Sequence, residues 1–349
     1  MKTAHRCLII LAAIITVSFI ACSGNKSTSE GVKLQGAGAS FPAPLYQKWF
    51  KSYGAAHEGA QIDYQSIGSG GGVKSIIDKT VDFGASDMAM TPEDMAKVDV
   101  GVQLLPMTAG CIVLTYNLKG VTDLKLSRAA YAGIFLGKVK KWNDPLIEKN
   151  NAGVALPDEP INVVVRADGS GTTFVFTKHL SARSPEFSQN PGVNSLPNWP
   201  TGTRSKGNEG VTASVMMTPG AIGYIEYGYA KSQNLPMANL ENKSGSFVAP
   251  STATAQAALA TAQFPGNLIA WVPDPDAKDA YPIATYTWLI CYKQYKDKGK
   301  FQLLQGLLNY CVTDGQKESE ALGYIPLPPA VADKDKAAIQ TITLAPNAT

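Results

Sequence analysis

Apolar positions along the chain change period in a regular order. Short runs at Val32–Leu34, Gln61–Ser66, Val81–Ala85 and Val102–Leu105 read as strands. Between the first two, Tyr46, Trp49, Phe50 and Tyr53 recur at i, i+3, i+4 and i+7, which is one face of a helix. Val73, Ile76 and Ile77 begin a second helix. Thr91-Pro92-Glu93-Asp94 supplies a cap, a proline at the first helical position and acids in the first turn. The alternation continues with strands at Cys111–Asn117, Ile161–Val165, Ala221–Glu226 and Pro282–Tyr292. Helices fall at Arg128–Phe135, Thr172–Leu180, Lys300–Cys311 and Asp333–Ile342. Residues 184–208, rich in Pro, Gly, Asn and Ser, predict a long surface loop. Strands alternating with helices predict an α/β fold, with a sheet covered by helices on its faces.

The 349 residues suffice for about two domains or one large one. At 45% apolar and 17% charged, the chain is not a disordered one. A net charge of +3 without a dense Lys/Arg block gives no case for nucleic acid. Part of that charge sits at the N-terminus, where Lys2, His5 and Arg6 precede an uncharged run from Leu8 to Ala21. This run is shorter than the ~20 residues that span a bilayer. A basic start, an apolar middle and a small residue at the end predict a secretory signal over residues 1–21.

The junction Phe19-Ile20-Ala21-Cys22 resembles the cleavage box of a bacterial lipoprotein, with Cys22 as the lipidated residue. Phe19 stands where such boxes usually carry Leu, and an ordinary secretory cut is the alternative. Residues 22–30 are polar and suit a flexible tether. The cysteines beyond it are Cys111, Cys291 and Cys311, all in apolar surroundings and without CxxC spacing. Three buried thiols, or one bridge and a leftover thiol, both fit.

Three glycine-rich turns each lead into a predicted helix: Gly36-Ala37-Gly38-Ala39-Ser40-Phe41-Pro42, Gly68-Ser69-Gly70-Gly71-Gly72, and Arg166-Ala167-Asp168-Gly169-Ser170-Gly171-Thr172. A helix start exposes N–H groups and partial positive charge, and glycine permits close approach to them. With a hydroxyl at the same point, each turn suits an oxyanion. Other chemistries fit poorly. Val73 stands where a Walker A loop needs its second glycine, and no Ser lies in GxSxG. His179 shares a helix face with Phe176 and Leu180, which predicts a core role, and His57 lacks the second histidine of a zinc motif. No catalytic residue, metal site or cofactor is expected.

Arg166, at a strand end before the third turn, can fork onto an oxyanion, and Asp168 can hold it in place. A purely structural Arg–Asp pair is the alternative. Asp87 lies in the polar turn that ends the strand from Val81 and, taken alone, reads as a cap for the next segment. In an anion site it makes sense if the anion carries a proton. Phosphate is partly protonated near neutrality, with a second pKa of about 6–7. Sulfate is not, so Asp87 would repel it at a cost of several kcal/mol.

These segments together resemble one family. GAGASFPAPLYQKW (36–49), GSGGGVKSIIDKTVDFGASD (68–87), GIFLGKVKKWND (133–144), RADGSGTTFVFT (166–177) and PGAIGYIEYGYA (219–230) are similar, in the same order, to the phosphate-binding proteins of bacterial ABC-type phosphate transporters. The resemblance implies a two-lobed periplasmic-binding-protein fold of doubly wound sheets joined by crossing strands. It implies a discontinuous first lobe, 31–110 plus 285–349, and a second lobe at 111–284, with Cys111 and Cys291 beside the crossing strands. It also implies that phosphate is held by Ser40, the Phe41 N–H, Ser69, Asp87, Arg166, Ser170, Gly171 and Thr172, with Asp168 orienting Arg166. Ser69-Gly70 stands where the family often has Ser-Ser. The implied protein is a non-enzymatic monomer that hands inorganic phosphate to membrane permease subunits and is tied to the membrane through Cys22. A secreted phosphatase, or a sensor or adhesin lipoprotein on the same fold, remains the alternative.

Overall fold

The computed structural model describes residues 31–348, so the signal segment and Cys22 lie outside the described residues. Its main sheet has eight strands: β1 (Lys33–Gly38), β2 (Gln61–Ser66), β3 (Phe83–Ser86), β4 (Val102–Tyr116), β5 (Asn162–Arg166), β6 (Thr203–Ser205), β7 (Ala221–Glu226) and β8 (Ala284–Tyr292). They lie side by side in the order β2-β1-β3-β8-β4-β7-β5-β6. The outer strands pair in parallel: β2 with β1, β1 with β3, β7 with β5 and β5 with β6. The central strands β8 and β4 run antiparallel to each other and to their neighbours. Parallel strands need covering helices on both faces, as the strand–helix alternation predicts.

β4 corrects one sequence expectation. The runs at 102–105 and 111–117 are parts of a single 15-residue strand, Val102–Tyr116. Pro106 lies between them. Along β8, Trp288 faces Pro106 while Thr287 faces Thr108, so Met107 is an extra residue at a bulge. A bulge is where a strand tolerates proline. The first two-thirds of β4 pairs with β8, and Ile112–Tyr116 pairs with β7. One continuous strand therefore ties the two halves of the sheet together.

Helix α1 (Ala43–Ala56) buries Tyr46, Trp49, Phe50 and Tyr53, the face its periodicity predicts. Helix α2 (Ser69–Ile77) follows β2, and helix α3 (Gly171–Arg183) follows β5. Helix α4 (Gly207–Met217) begins inside the segment expected to be loop up to residue 208. That segment is not a free surface loop either. It holds a helical turn at Pro185–Gln189 and the strand β6. Its Trp199 is buried against Phe135, Phe176 and Tyr224, its Phe187 is buried against Trp199, and Thr177 of α3 bonds both the N–H and the carbonyl of Asn194. Polar composition hid two aromatic anchors worth ~2 kcal/mol or more each in burial. The last helix, expected at 333–342, spans Pro329–Ile339, with Pro329 in its first turn.

The first glycine motif also differs from its reading as a turn. β1 runs on through Gly36 to Gly38, because its glycines face strand β3. At Gly36 the Phe83 ring occupies the place of a side chain, and Gly38, at φ 149°, lies against the Ala85 backbone. Gly72 of α2 completes this packing: a Cβ there would lie 2.6 Å from the Ala85 carbonyl oxygen and 2.7 Å from the Gly38 Cα. Backbone cannot yield as a side chain does. This glycine-on-glycine contact sets the α1 and α2 entry turns side by side at the end of the sheet. Gly72→Ala should therefore lower unfolding stability by about 1–3 kcal/mol in urea denaturation, with the midpoint moved and the slope unchanged.

Candidate oxyanion site

The turn between β1 and α1 is held by three tyrosines. Tyr64 donates to the Ala39 carbonyl at 2.6 Å, Tyr229 to the Ser40 carbonyl at 2.6 Å and Tyr324 to the Phe41 carbonyl at 2.7 Å. C=O and N–H of a trans peptide point opposite ways, so tying the Ser40 carbonyl outward fixes the Phe41 N–H on the opposite side of the turn. Ser40 and Phe41 are both buried.

The turns at Ser69 and Ser170 meet directly. Gly70 N–H donates to the Gly169 carbonyl at 2.8 Å. A Cβ on Gly171 would lie 2.7 Å from the Asp87 Cβ and would also collide with Ser69 Oγ. Glycine is required at 171 for this approach, whereas its neighbour Ser170 caps α3 by accepting from the Thr173 N–H at 3.0 Å. Gly171 and Thr172 begin that helix, where N–H groups have no intrahelical acceptor. The Ser69 hydroxyl oxygen accepts from the Asp87 N–H at 3.1 Å.

Asp87 and Arg166 are each only 1% exposed, yet they do not pair with each other. Asp87 accepts from Thr287 at 2.8 Å and from Thr172 at 3.4 Å. Arg166 donates Nε and Nη2 to the two oxygens of Asp168, at 2.9 and 2.5 Å. Asp168 is itself held by the Gly207 N–H at 3.0 Å. The Arg166–Asp168 pair that spacing suggested is thus present, and it leaves Arg166 Nη1 buried without a hydrogen-bond partner. A buried guanidinium N–H without an acceptor costs about 1–3 kcal/mol or more, so the geometry calls for an anion there.

Burial pushes the Asp87 carboxyl up to about 7, against the opposing pull of the Thr287 hydrogen bond, the Arg166 charge and the Thr172 hydrogen bond. Arg166 and its hydrogen bond hold Asp168 below the usual carboxylate range despite its burial. The cluster therefore combines a fixed cation, oriented hydroxyl and amide donors, and one carboxyl poised to share a proton. Among the described residues no group of His, Cys, Asp and Glu is arranged to hold a metal ion. His179 is buried between the Tyr131 hydroxyl and the Pro273 carbonyl, the core role its helix face predicted, and burial pushes it down to about 4. His57 is exposed, bonded to the Tyr53 carbonyl. Cys111, Cys291 and Cys311 are free buried thiols.

Sequence reasoning missed four neighbours of the site. Asn208 bonds Ser40 and Thr172, Thr287 bonds Asp87, Tyr229 bonds Ser40, and Glu226 lies buried beside them. Asn208 had a signal: Gly207, at φ 71°, makes Gly207-Asn208 a fourth glycine-led helix start. Thr287 and Tyr229 carried none, because nothing local marks a contact made 200 or 189 residues away.

Known proteins resemble the chain over most of its length. The family model described as a PBP superfamily domain matches residues 24–315. A phosphate-binding protein PstS of Pasteurella multocida is 42% identical over 320 residues, covering 90% of this chain and 92% of that protein. One from Haemophilus influenzae is 37% identical, covering 93% and 97%. Among solved structures, a high-affinity periplasmic phosphate-binding protein bound with phosphate superposes with a TM-score of 0.74 at 21% identity, over 88% of this chain and 93% of that one. A phosphate-binding protein from Stenotrophomonas maltophilia gives 0.73 at 22% identity, over 88% and 94%. The structural likeness carries the fold: two lobes of doubly wound sheet, joined by crossing strands. The chain belongs to the PBP superfamily and, within it, to the family of PstS phosphate-binding proteins.

Glu226 makes the site's surroundings sensitive to pH. Its Oε2 accepts from the Gly228 N–H at 2.8 Å, and burial raises the group from 4.5 to about 8. A raised carboxyl stabilises the fold fully below its unfolded pKa, and that contribution is lost as pH rises through the folded value. Phosphate-stripped protein should lose on the order of 2–4 kcal/mol of stability from this group between about pH 5 and 9. Thermal unfolding of Glu226→Gln across that range should show a flatter slope; an unchanged slope would contradict the assignment.

Proposed function

We propose that this chain is a non-enzymatic, high-affinity receptor for inorganic phosphate that delivers it to the permease of an ABC-type transporter. The observation that carries the reading is the buried Arg166 guanidinium, held by Asp168 on two nitrogens and without a partner on the third, beside a buried Asp87 that it does not neutralise. The family relationship supports the same ligand.

In this reading Arg166 binds one phosphate oxygen. Ser40, Ser69 and Ser170 donate hydroxyl hydrogens, and Phe41, Gly171 and Thr172, whose hydroxyl hydrogen is taken by Asp87, donate backbone N–H groups. Asp87 accepts the hydrogen bond of the phosphate proton. Its raised pKa and that of phosphate are close, so one proton is shared between them and the complex avoids two unpaired charges. Sulfate brings no proton and meets repulsion. The lobes are residues 31–110 with 285–349, and 111–284, exchanging chain through β4 and β8. Phosphate favours the closed arrangement to the extent that it binds that arrangement better. Among the described residues no helix is long and apolar enough to cross a membrane. With the family's periplasmic setting, this fits a monomer outside the cytoplasm, anchored through a lipidated Cys22.

Calorimetric titration of phosphate-stripped protein tests the reading. One phosphate should bind per chain, without response to sulfate. Arg166→Ala should weaken phosphate binding about 100-fold, the loss expected when a charged hydrogen-bond donor is removed. Asp87→Asn should weaken phosphate and admit sulfate. Equal binding of the two anions by the unmodified protein would overturn the role of Asp87.

A further inference from the structure

Resting on that reading, we propose that Asn208 is a positioning residue: it aims the Ser40 hydroxyl hydrogen at the bound phosphate. Asn208 is fully buried at the second position of α4, far from Ser40 in sequence. Its Oδ1 accepts from the Glu226 N–H at 2.8 Å. That bond settles which way the amide faces, because an N–H needs an acceptor. The Nδ2 group must then turn toward Ser40, and it donates to Ser40 Oγ at 2.8 Å and to Thr172 Oγ1 at 3.3 Å. The Asn208 backbone N–H donates to the same Ser40 oxygen at 3.0 Å.

A serine hydroxyl has two acceptor lone pairs and one proton. At Ser40 both lone pairs receive hydrogens from Asn208. The proton has only the remaining tetrahedral direction, and the hydroxyl acts as a pure donor. Ser69 and Ser170 follow the same logic more loosely, each accepting a single backbone N–H, from Asp87 and Thr173. The same Asn208 amide also donates to Thr172 Oγ1, whose one proton goes to Asp87, so Ser40 is the hydroxyl that Asn208 aims at the ligand. An oxyanion offers only acceptors to a hydroxyl, so a hydroxyl free to rotate would waste part of its bond. Ser40 belongs to the first proposed lobe and Asn208 to the second. The aiming contact therefore forms where the two lobes meet, and it couples donor direction to closure.

The carboxamide is essential to this role. A carboxylate at 208 would accept from Ser40, turn its proton away from phosphate and add a repelling charge. Calorimetry with inorganic phosphate on phosphate-stripped protein separates the possibilities, using Ser40→Ala, Asn208→Ala, Asn208→Asp and the double variant Ser40→Ala/Asn208→Ala. Asn208→Ala should weaken binding about tenfold, the scale of one misaligned neutral hydrogen bond. In the Ser40→Ala background the same change should cost less than about twofold, because the group it acts through is gone. Asn208→Asp, nearly isosteric and able to keep the Glu226 N–H bond, should weaken binding more than Asn208→Ala. Additive losses in the double variant, or Asn208→Asp binding as well as the unmodified protein, would overturn the proposal while leaving phosphate binding intact. If Ser40→Ala alone changes nothing, Ser40 is not a phosphate donor, and the failure lies in the underlying reading.

Discussion

Two opposite charges, Arg166 and Asp87, are buried in one place and kept from neutralising each other. Much of the structure around them serves that constraint. Arg166 is occupied on two nitrogens by Asp168, which the start of α4 holds in turn. Asp87 is occupied by Thr287 and Thr172. An unscreened pair in direct contact would collapse into a salt bridge and close the site to any anion. Held apart, the two charges present a donor and an acceptor, a pattern that a protonated tetrahedral anion complements and an unprotonated one does not.

The neutral part of the site follows a common rule. Each serine gives its oxygen to a nearby N–H, which leaves its proton free to be donated elsewhere. The carbonyls of the first turn are likewise tied back by tyrosine hydroxyls, which leaves the amide side of the peptides facing the other way. Such fixed dipoles need no reorganisation when the ligand arrives, and in a buried site they act at low dielectric. The tethers come from segments far apart in the chain: Tyr64 and Tyr324 lie on either side of Tyr229 and Asn208 in sequence.

Much of the fold was legible because its signals are local. The helix faces of α1 and α3, the Thr91 cap and the buried strands of the sheet all follow from period, capping chemistry and apolar runs. The errors share a cause. β4 read as two separate runs and the glycines of β1 read as a turn because bulges and glycine-on-backbone packing depend on a neighbouring strand. Residues 184–208 read as free loop because Phe187 and Trp199 lie among polar residues, and only the aromatic partners of Trp199 on other elements, with Phe187 packed on Trp199, explain their burial.

The sequence by itself determined the three hydroxyl-bearing turns, the Arg166–Asp168 spacing and the family to which they belong, because each of these is a short stretch whose chemistry is complete within a few residues. The tertiary structure decided what those groups can do. Only folding brings Thr287 to Asp87, Tyr229 and Asn208 to Ser40, and the Ser69 turn against Gly171. A hydroxyl's direction and a carboxyl's proton affinity are set by what surrounds them in space. Those surroundings come from segments far apart in the chain, so no local pattern could announce them.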